Sequence, residues 1–338
     1  MKVGFDISQT AFIGGVSTYT KNLAAKFVDQ VNLDLTYLYF SLRKPYNGSL
    51  PNVKKYPIPP TIAEVLLNRL RFPIENFIGD IDIFHSSDWV QPATKAKKVT
   101  TYHDVVPLKY PQWSHPKIIG VHKRRLEIVE KEVDAVIAVS EATKKDLLEV
   151  TKIAEEKIVV IYEAADEIFK PQEEKKIEEF RKKYNLQNDF VLSISGVGER
   201  RNLERIKEAS KDYNLVISGE INPRVSYEEM PLLYCAAKVL LYPSLYEGFG
   251  LPILEAMSCG TPVITSNVSS MSEVGGDSAV YVDPLNVEEI KQKLKEVMED
   301  NSLRQKLFKK GFVQAQKFSW EKCAKETADV YRKLVKNI

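Results

Sequence analysis

The chain has 338 residues, of which 44% are hydrophobic and 28% charged, with a net charge of +2. That length suits two α/β domains better than one core, and the near-neutral balance offers no field that would select nucleic acid. Three widely spaced cysteines (Cys235, Cys259, Cys323) form neither a disulfide framework nor a zinc pattern, which fits a reducing compartment. No apolar run approaches the roughly 20 residues that cross a bilayer, and the N-terminus enters a strand without the apolar stretch of a signal peptide. A cytoplasmic protein is expected, with peripheral contact at the inner membrane face left open.

Residues 2–8 read as the first strand. Gly14-Gly15 and a helix from about Val16 follow, with Tyr19, Leu23 and Phe27 on its buried face and Ser17 or Thr18 as its cap. A strand, a glycine pair and a helix start suit an anion. A plain turn explains the pair equally well, and the spacing is not that of a dinucleotide fingerprint. Residues 33–41 form a second strand, and 43–60, rich in proline and glycine, read as irregular loop. The amphipathic segment 62–78, broken by Pro73, packs as a core helix. Alternatively it lies on the surface and meets a lipid-linked acceptor through Arg69, Arg71 and exposed leucines.

Asp80-Ile81-Asp82 carries the letters of a metal-binding Asp-x-Asp, but it precedes the strand 81–84 rather than following one, so no metal site is expected. That strand delivers His85-Ser86-Ser87-Asp88 to the end where ligands bind, and the strand 98–102 delivers His103-Asp104 there. A loop (107–116), a basic helix (118–133), a strand (134–140) whose Ser140 caps the next helix, and a strand at 158–161 complete the first domain.

The second half opens with a charged helical stretch, 172–188, and a strand at 190–195. After that strand come Gly196, Gly198, Arg200 and Arg201 at a helix start. Cations at a helix start oppose its dipole, so a diphosphate, which arginine can chelate, explains them better. A strand at 215–218 ends at Gly219, and a helix spans 227–236. The strand from Val239 then leads to Glu247, Gly248, Phe249, Gly250 and Leu251, with Pro252 and Glu255 in the first turn of a helix that stops at Gly260. The two glycines allow close backbone approach. The two glutamates would repel phosphate, so sugar and ribose hydroxyls are their natural donors. A strand at 279–282 and helices at 287–299, 302–316 and from 318 onward, capped by Ser319, finish the chain.

The run Pro-Ser-Leu-Tyr-Glu-Gly-Phe-Gly-Leu-Pro-Ile-Leu-Glu-Ala-Met-Ser-Cys-Gly-Thr-Pro-Val, from Pro243, closely resembles the nucleotide-sugar motif of family 4 retaining glycosyltransferases, including its two glutamates separated by seven residues. The segment around His103-Asp104 resembles the family's His-Asp segment. Arg200-Arg201-Asn202 resembles its Arg-Lys-Asn motif, with Arg201 where Lys is usual. Glu163 to Pro171 resembles its exit from the first domain.

The resemblance spans nearly the whole chain. It implies an α/β GT-B fold of two facing Rossmann-like domains with a central cleft: an acceptor-side domain (1–168), a nucleotide-sugar domain (169–318) and a C-terminal helix (319–338) crossing back. It further implies a retaining, metal-independent transferase, mannosyltransferase-like and of the kind used in polysaccharide biosynthesis. Such an enzyme needs no cofactor and moves a hexose from GDP-mannose or a UDP-hexose to a glycan or lipid-linked acceptor. Gly14, Gly15, Arg200, Asn202, Gly219, Gly248, Phe249, Gly250 and Leu251 are expected around the donor. Arg201 is expected on the leaving diphosphate, Glu247 on donor-sugar hydroxyls, Glu255 on the ribose and His103 near the reacting carbon, with His85 and Asp104 on the acceptor side. The family's base-holding region is reduced here to 220–224, which leaves the base open. The competing readings are a phosphorylase or epimerase on the same scaffold, or a nucleotide-sugar binder without catalysis.

Overall fold

The computed structural model describes every residue except 13, 31, 87–88, 195–197 and 337–338. The chain divides into two compact units, Met1–Glu163 with Trp320–Ile338, and Ala164–Ser319.

The first unit contains strands β1 (Lys2–Asp6), β2 (Asp34–Phe40), β3 (Val53–Tyr56), β4 (Ile83–Ser86), β5 (Lys97–Tyr102), β6 (Ala135–Ala138) and β7 (Ile158–Val160). All pair parallel, in the order β3-β2-β1-β4-β5-β6-β7. A parallel sheet is covered on both faces, so its inner strands are buried, and β4 and β6 are buried along their full length. β3 falls within 43–60, where the sequence predicts irregular loop. It is an edge strand whose Lys54 and Lys55 face water, and Val-Lys-Lys-Tyr carries little of the apolar signal that marks a strand.

Helices α1 (Gly15–Phe27), α2 (Pro60–Glu64), α3 (Glu75–Ile78), α4 (Val106–Lys109), α5 (Pro116–Glu132) and α6 (Glu141–Val150) connect these strands. α1 starts earlier than expected. Gly14 is its N-cap at φ +140°, so Ser17 and Thr18 lie inside the helix and neither caps it. Ser140 does cap α6, accepting from the Thr143 amide at 2.9 Å. The segment 62–78 is not one helix. α2 passes into a π-helical turn, Val65–Arg69, from which the Asn68 side chain bonds the Trp89 carbonyl (2.9 Å) and the Gln91 amide (2.7 Å). Ala63, Leu67 and Ile74 pack with Phe84 and Val90, while Ile62 and Leu70 stay 56% and 68% exposed. One face is therefore core and the other is surface. α4 occupies part of the expected loop 107–116, its start held by Asp104 Oδ1 on the Val106 amide (3.0 Å).

The second unit runs α7 (Glu174–Lys183), β8 (Val191–Ser193), α8 (Leu203–Ala209), β9 (Leu215–Ile217), α9 (Met230–Ala236), β10 (Val239–Tyr242), α10 (Leu251–Cys259), β11 (Val263–Ser266), α11 (Met271–Gly275), β12 (Val280–Val282), α12 (Val287–Glu299) and α13 (Asn301–Ala315). Its parallel sheet has the order β12-β11-β10-β8-β9. Val191, Val239, Leu241 and Ile264 of the sheet pack against Ile206, Ile290 and Leu294 of the helices.

The final helix, α14 (Trp320–Lys336), belongs to the first unit. Its Trp320 meets the Tyr19 ring edge-on at 5.9 Å, and Tyr331 packs on Phe27 at 5.8 Å. Among the described residues no helix is long and apolar enough to cross a membrane.

Candidate active site

Ligands of open parallel sheets collect beyond the carboxyl ends of the strands, where the strand order reverses. In the second unit that point lies between β8 and β10. The loop after β8 contains Gly196 and Val197, which lie outside the described residues, and then a single 3₁₀ turn, Glu199–Arg201. The loop after β10 contains Glu247. The two loops are tied where the Leu245 amide donates to the Arg200 carbonyl (2.8 Å).

Glu247 is 6% exposed. Its carboxylate pairs with Arg201, lies 3.8 Å from Arg200 Nη1 and accepts from the Tyr242 hydroxyl at 2.7 Å. The Arg201 guanidinium also lies over the Tyr242 ring, 5.4 Å from its centroid. The sequence reading sends Arg201 and Glu247 to different parts of a donor; the structure joins them. Among the described residues Arg201 Nε, Ser193 Oγ and Ser244 Oγ are buried without a hydrogen-bond partner. Buried donors are rarely left unpaired without a reason, and an anion would satisfy the guanidinium.

The loop from Glu247 to α10 is held from the start of α11. Ser270 Oγ lies 3.0 Å from the Glu247 carbonyl and 2.7 Å from that of Phe249, and Ser269 also bonds the Glu247 carbonyl. Gly250 is the N-cap of α10 at φ +105°, a conformation that requires glycine, and Pro252 sits in the first turn. The Phe249 ring packs on Phe318 at 5.9 Å, and Gly248, Phe249, Gly250 and Leu251 are all buried. Among the described residues the Gly250 and Leu251 amides donate to no protein atom, so the positive end of α10 is available to a ligand.

Glu255 lies one turn further along α10 than the sequence reading placed it. It is half-buried and accepts from the Tyr234 hydroxyl at 2.6 Å. Burial pushes its carboxyl up to about 7, the Asp166 charge adds to this, and the Tyr234 hydrogen bond opposes it. Asp166 in turn lies 3.5 Å from the Tyr227 hydroxyl.

One expected donor residue has its side chain committed elsewhere. Asn202 is 4% exposed in the left-handed region (φ 59°), and its amide donates to the carbonyls of Pro243 (2.9 Å) and Pro284 (2.6 Å) while accepting from Arg205 (3.0 Å). Its side chain is spent on pinning three loops, not on a ligand. Gly219 sits on the exposed turn after β9.

In the first unit the strand order reverses between β1 and β4. Gly14 and Gly15 form the exposed start of α1 after β1. His103 follows β5 with its side chain 13% exposed, Nδ1 lying 2.8 Å from Glu163 Oε1. Asp104 caps α4. His85 does not reach a surface as expected. It lies within β4 at 1% exposure, with Nδ1 2.6 Å from the Tyr331 hydroxyl and Nε2 2.8 Å from Thr101 Oγ1. Burial, aided by the nearby His103 and Arg125, holds it down to about 3, so it is a neutral core residue. Ser87 and Asp88 lie outside the described residues. Asp82 accepts from the Lys2 amide at 2.7 Å, a strand-edge role.

The sequence reading missed Glu163, Tyr234, Tyr242 and Ser270. Nothing in their local runs marks them, and their hydrogen-bond partners show what they do.

The Glu255 shift carries a testable sign. Its folded value of about 7 lies above the ordinary 4.5, so between those values the native state keeps a proton that the unfolded chain has lost. This group therefore favours folding at low pH, and its advantage is lost as pH rises through 7. Glu255→Gln is expected to stabilise the ligand-free protein by about 1–2 kcal/mol at pH 8, discounted for partial exposure, with a much smaller effect at pH 5. Urea unfolding at both pH values checks this, and equal effects at both would exclude titration as the cause.

The family model described as "Glycosyl transferases group 1" matches residues 143–314, and the one described as "Glycosyltransferase Family 4" matches 13–167. O-antigen chain mannosyltransferase B of Escherichia coli is 30% identical over 284 residues, 75% of this chain and 74% of that protein. Sucrose-phosphate synthase from Thermosynechococcus elongatus superposes with a TM-score of 0.79 at 20% identity, covering all of both chains. Anabaena HepE in complex with UDP and glucose superposes with a TM-score of 0.71 at 15% identity, over 98% of this chain and 100% of that one. With two parallel-sheet α/β domains and motifs matched along both, the chain belongs to the glycosyl transferases group 1 family and is a glycosyltransferase of the GT-B fold.

Proposed function

We propose that this enzyme transfers a hexose from a nucleotide-diphosphate sugar to a hydroxyl of a glycan or lipid-linked acceptor, with retention at the anomeric carbon and without a metal or other cofactor. GDP-mannose is the first candidate donor, supported by the similarity to a mannosyltransferase. A UDP-hexose is the second, supported by the likeness to HepE with UDP and glucose. The observation that carries the reading is the cluster at the β8/β10 switch point. There two arginines, one with a buried unpaired Nε, meet Glu247 close to the start of α10.

In the reaction the bond from the anomeric carbon to the β-phosphate oxygen breaks, and a new bond forms to the acceptor oxygen on the same face. The acceptor proton passes to the departing diphosphate. Negative charge grows on that diphosphate, and stabilising it is the largest electrostatic demand of the step. Arg201, Arg200 and the amides at the start of α10 supply positive charge there, which in other transferases a metal provides. Glu247 serves hydroxyls of the donor sugar, Glu255 those of the ribose, and His103 of the first unit the reacting sugar.

The exposed Ile62, Leu70 and Phe72, beside Arg69, are a surface for a lipid-linked acceptor.

Arg201→Ala is expected to lower the rate by about 10²-fold or more, as loss of such a stabiliser does; an unchanged rate would remove Arg201 from this role. In a thermal-shift panel of GDP, GDP-mannose, UDP and UDP-glucose, the donor class at 100 times its dissociation constant should add about 2.7 kcal/mol. No response to any of the four would sink the nucleotide-sugar reading. Vesicles containing anionic lipid should carry the protein upward in flotation, less so for Leu70→Ser, and no flotation would leave the acceptor without a bilayer.

A further inference from the structure

We propose that Glu163 is the positioning residue of His103, a buried carboxylate that fixes which ring nitrogen meets the donor. The inference rests on the reading above for what His103 serves, but the pairing itself stands on geometry within the first unit. Glu163 follows β7, and its side chain is 4% exposed. Its Oε1 lies 2.8 Å from His103 Nδ1. A carboxylate can only accept, so Nδ1 carries the proton in this contact, and the chemistry of the ring toward substrate runs through Nε2.

The ring is also held from the side. Tyr19 meets it edge-on at 4.6 Å and 79°. The Tyr19 hydroxyl is fixed 3.0 Å from Thr101 Oγ1, which lies 2.8 Å from His85 Nε2, and His85 Nδ1 lies 2.6 Å from the Tyr331 hydroxyl on α14. Carboxylate on one side and aromatic edge on another leave the imidazole one orientation. A negative charge against Nδ1 also favours the charged ring, so Nε2–H is the group Glu163 prepares. A donor N–H at a sugar whose departing diphosphate gains charge is the useful form.

Among the described residues, Asp104 follows His103 in the chain, His85 of β4 feels the charges of His103 and of Arg125 from α5, and Tyr19 of α1 and Cys323 of α14 feel that of Glu163. His85 is held down to about 3, and burial pushes Tyr19 and Cys323 up. These three are therefore silent near neutrality.

The test uses the full, ligand-free chain with ¹⁵N-labelled histidine, His103 being assigned by its loss in His103→Asn. Long-range ¹H–¹⁵N spectra followed with pH should show Nδ1 protonated in the wild type. In Glu163→Gln, which keeps an acceptor but removes the charge, the His103 midpoint should fall by about one unit. An unchanged midpoint, in a variant whose circular dichroism matches wild type, overturns the pairing. In the second arm, hydrolysis of GDP-mannose or UDP-glucose to the nucleoside diphosphate and free hexose, with water as the acceptor, is followed against pH. Glu163→Gln should lower kcat about ten-fold or more with KM changed little, and should shift the pH profile in the same direction as the NMR midpoint. An active wild type whose kcat survives Glu163→Gln overturns the role in the reaction. A wild type that turns over no nucleotide sugar overturns the donor reading instead, and the NMR arm still decides the pairing.

Discussion

The pairing of Arg201 with Glu247 is the contact on which the second unit's site depends. Taking a carboxylate and a guanidinium out of water is costly, and their attraction returns the cost only where the remaining polar atoms are satisfied. Tyr242 satisfies the carboxylate, and the Ser269 and Ser270 hydroxyls hold the backbone that carries it. On the arginine side the accounting does not close, because Nε is left over. The protein thus holds Arg201 in place with a carboxylate and leaves one of its donors over. An entering diphosphate finds donors already oriented, which is how electrostatic stabilisation avoids reorganisation at the moment of reaction.

That arrangement needs the loops after β8 and β10 to keep register, and Asn202 does this. Its left-handed backbone lets the chain turn from the arginine-bearing 3₁₀ turn into α8, while its amide reaches Pro243 and Pro284. An amide has donors and an acceptor on one short stem, and here all are used on protein. The first unit solves a similar problem differently. There a chain of buried hydroxyls and a neutral imidazole, Tyr19, Thr101, His85 and Tyr331, runs behind the sheet to α14. The C-terminal helix is thereby built into the wall that supports His103.

Much of this was legible in the sequence, and for identifiable reasons. Gly250, Pro252 and Gly260 punctuate α10 through backbone geometry, which acts locally, and the strand–loop–helix rhythm of a parallel sheet follows from continuous apolar runs. What escaped depended on partners distant in sequence. β3 is half lysine because an edge strand faces water. The π-helical turn at 65–69 exists because Asn68 is drawn toward Trp89 and Gln91 on another segment. His85 and His103 both lie at the carboxyl ends of neighbouring strands and look alike in sequence. They differ because the chain stays in the sheet through Ser86 but leaves it after Tyr102. Asn202 sits inside a donor motif, and its burial reveals it as a clamp.

The two glutamates of the motif show why spacing alone does not assign chemistry. Glu247 is surrounded by cations and a hydroxyl, and its charge is compensated before any ligand arrives. Glu255, on the next element, has one hydroxyl donor, no cation in contact among the described residues, and Asp166 near enough to oppose its ionisation. Held near 7, it keeps its proton readily while the site is empty. Two adjacent hydroxyls would offer a buried carboxylate the donors that Tyr234 alone cannot, and would favour the charged form. The first glutamate is thus built to hold cations in place. The second has one hydroxyl donor, and further donors of the kind a ribose carries would favour its charged form.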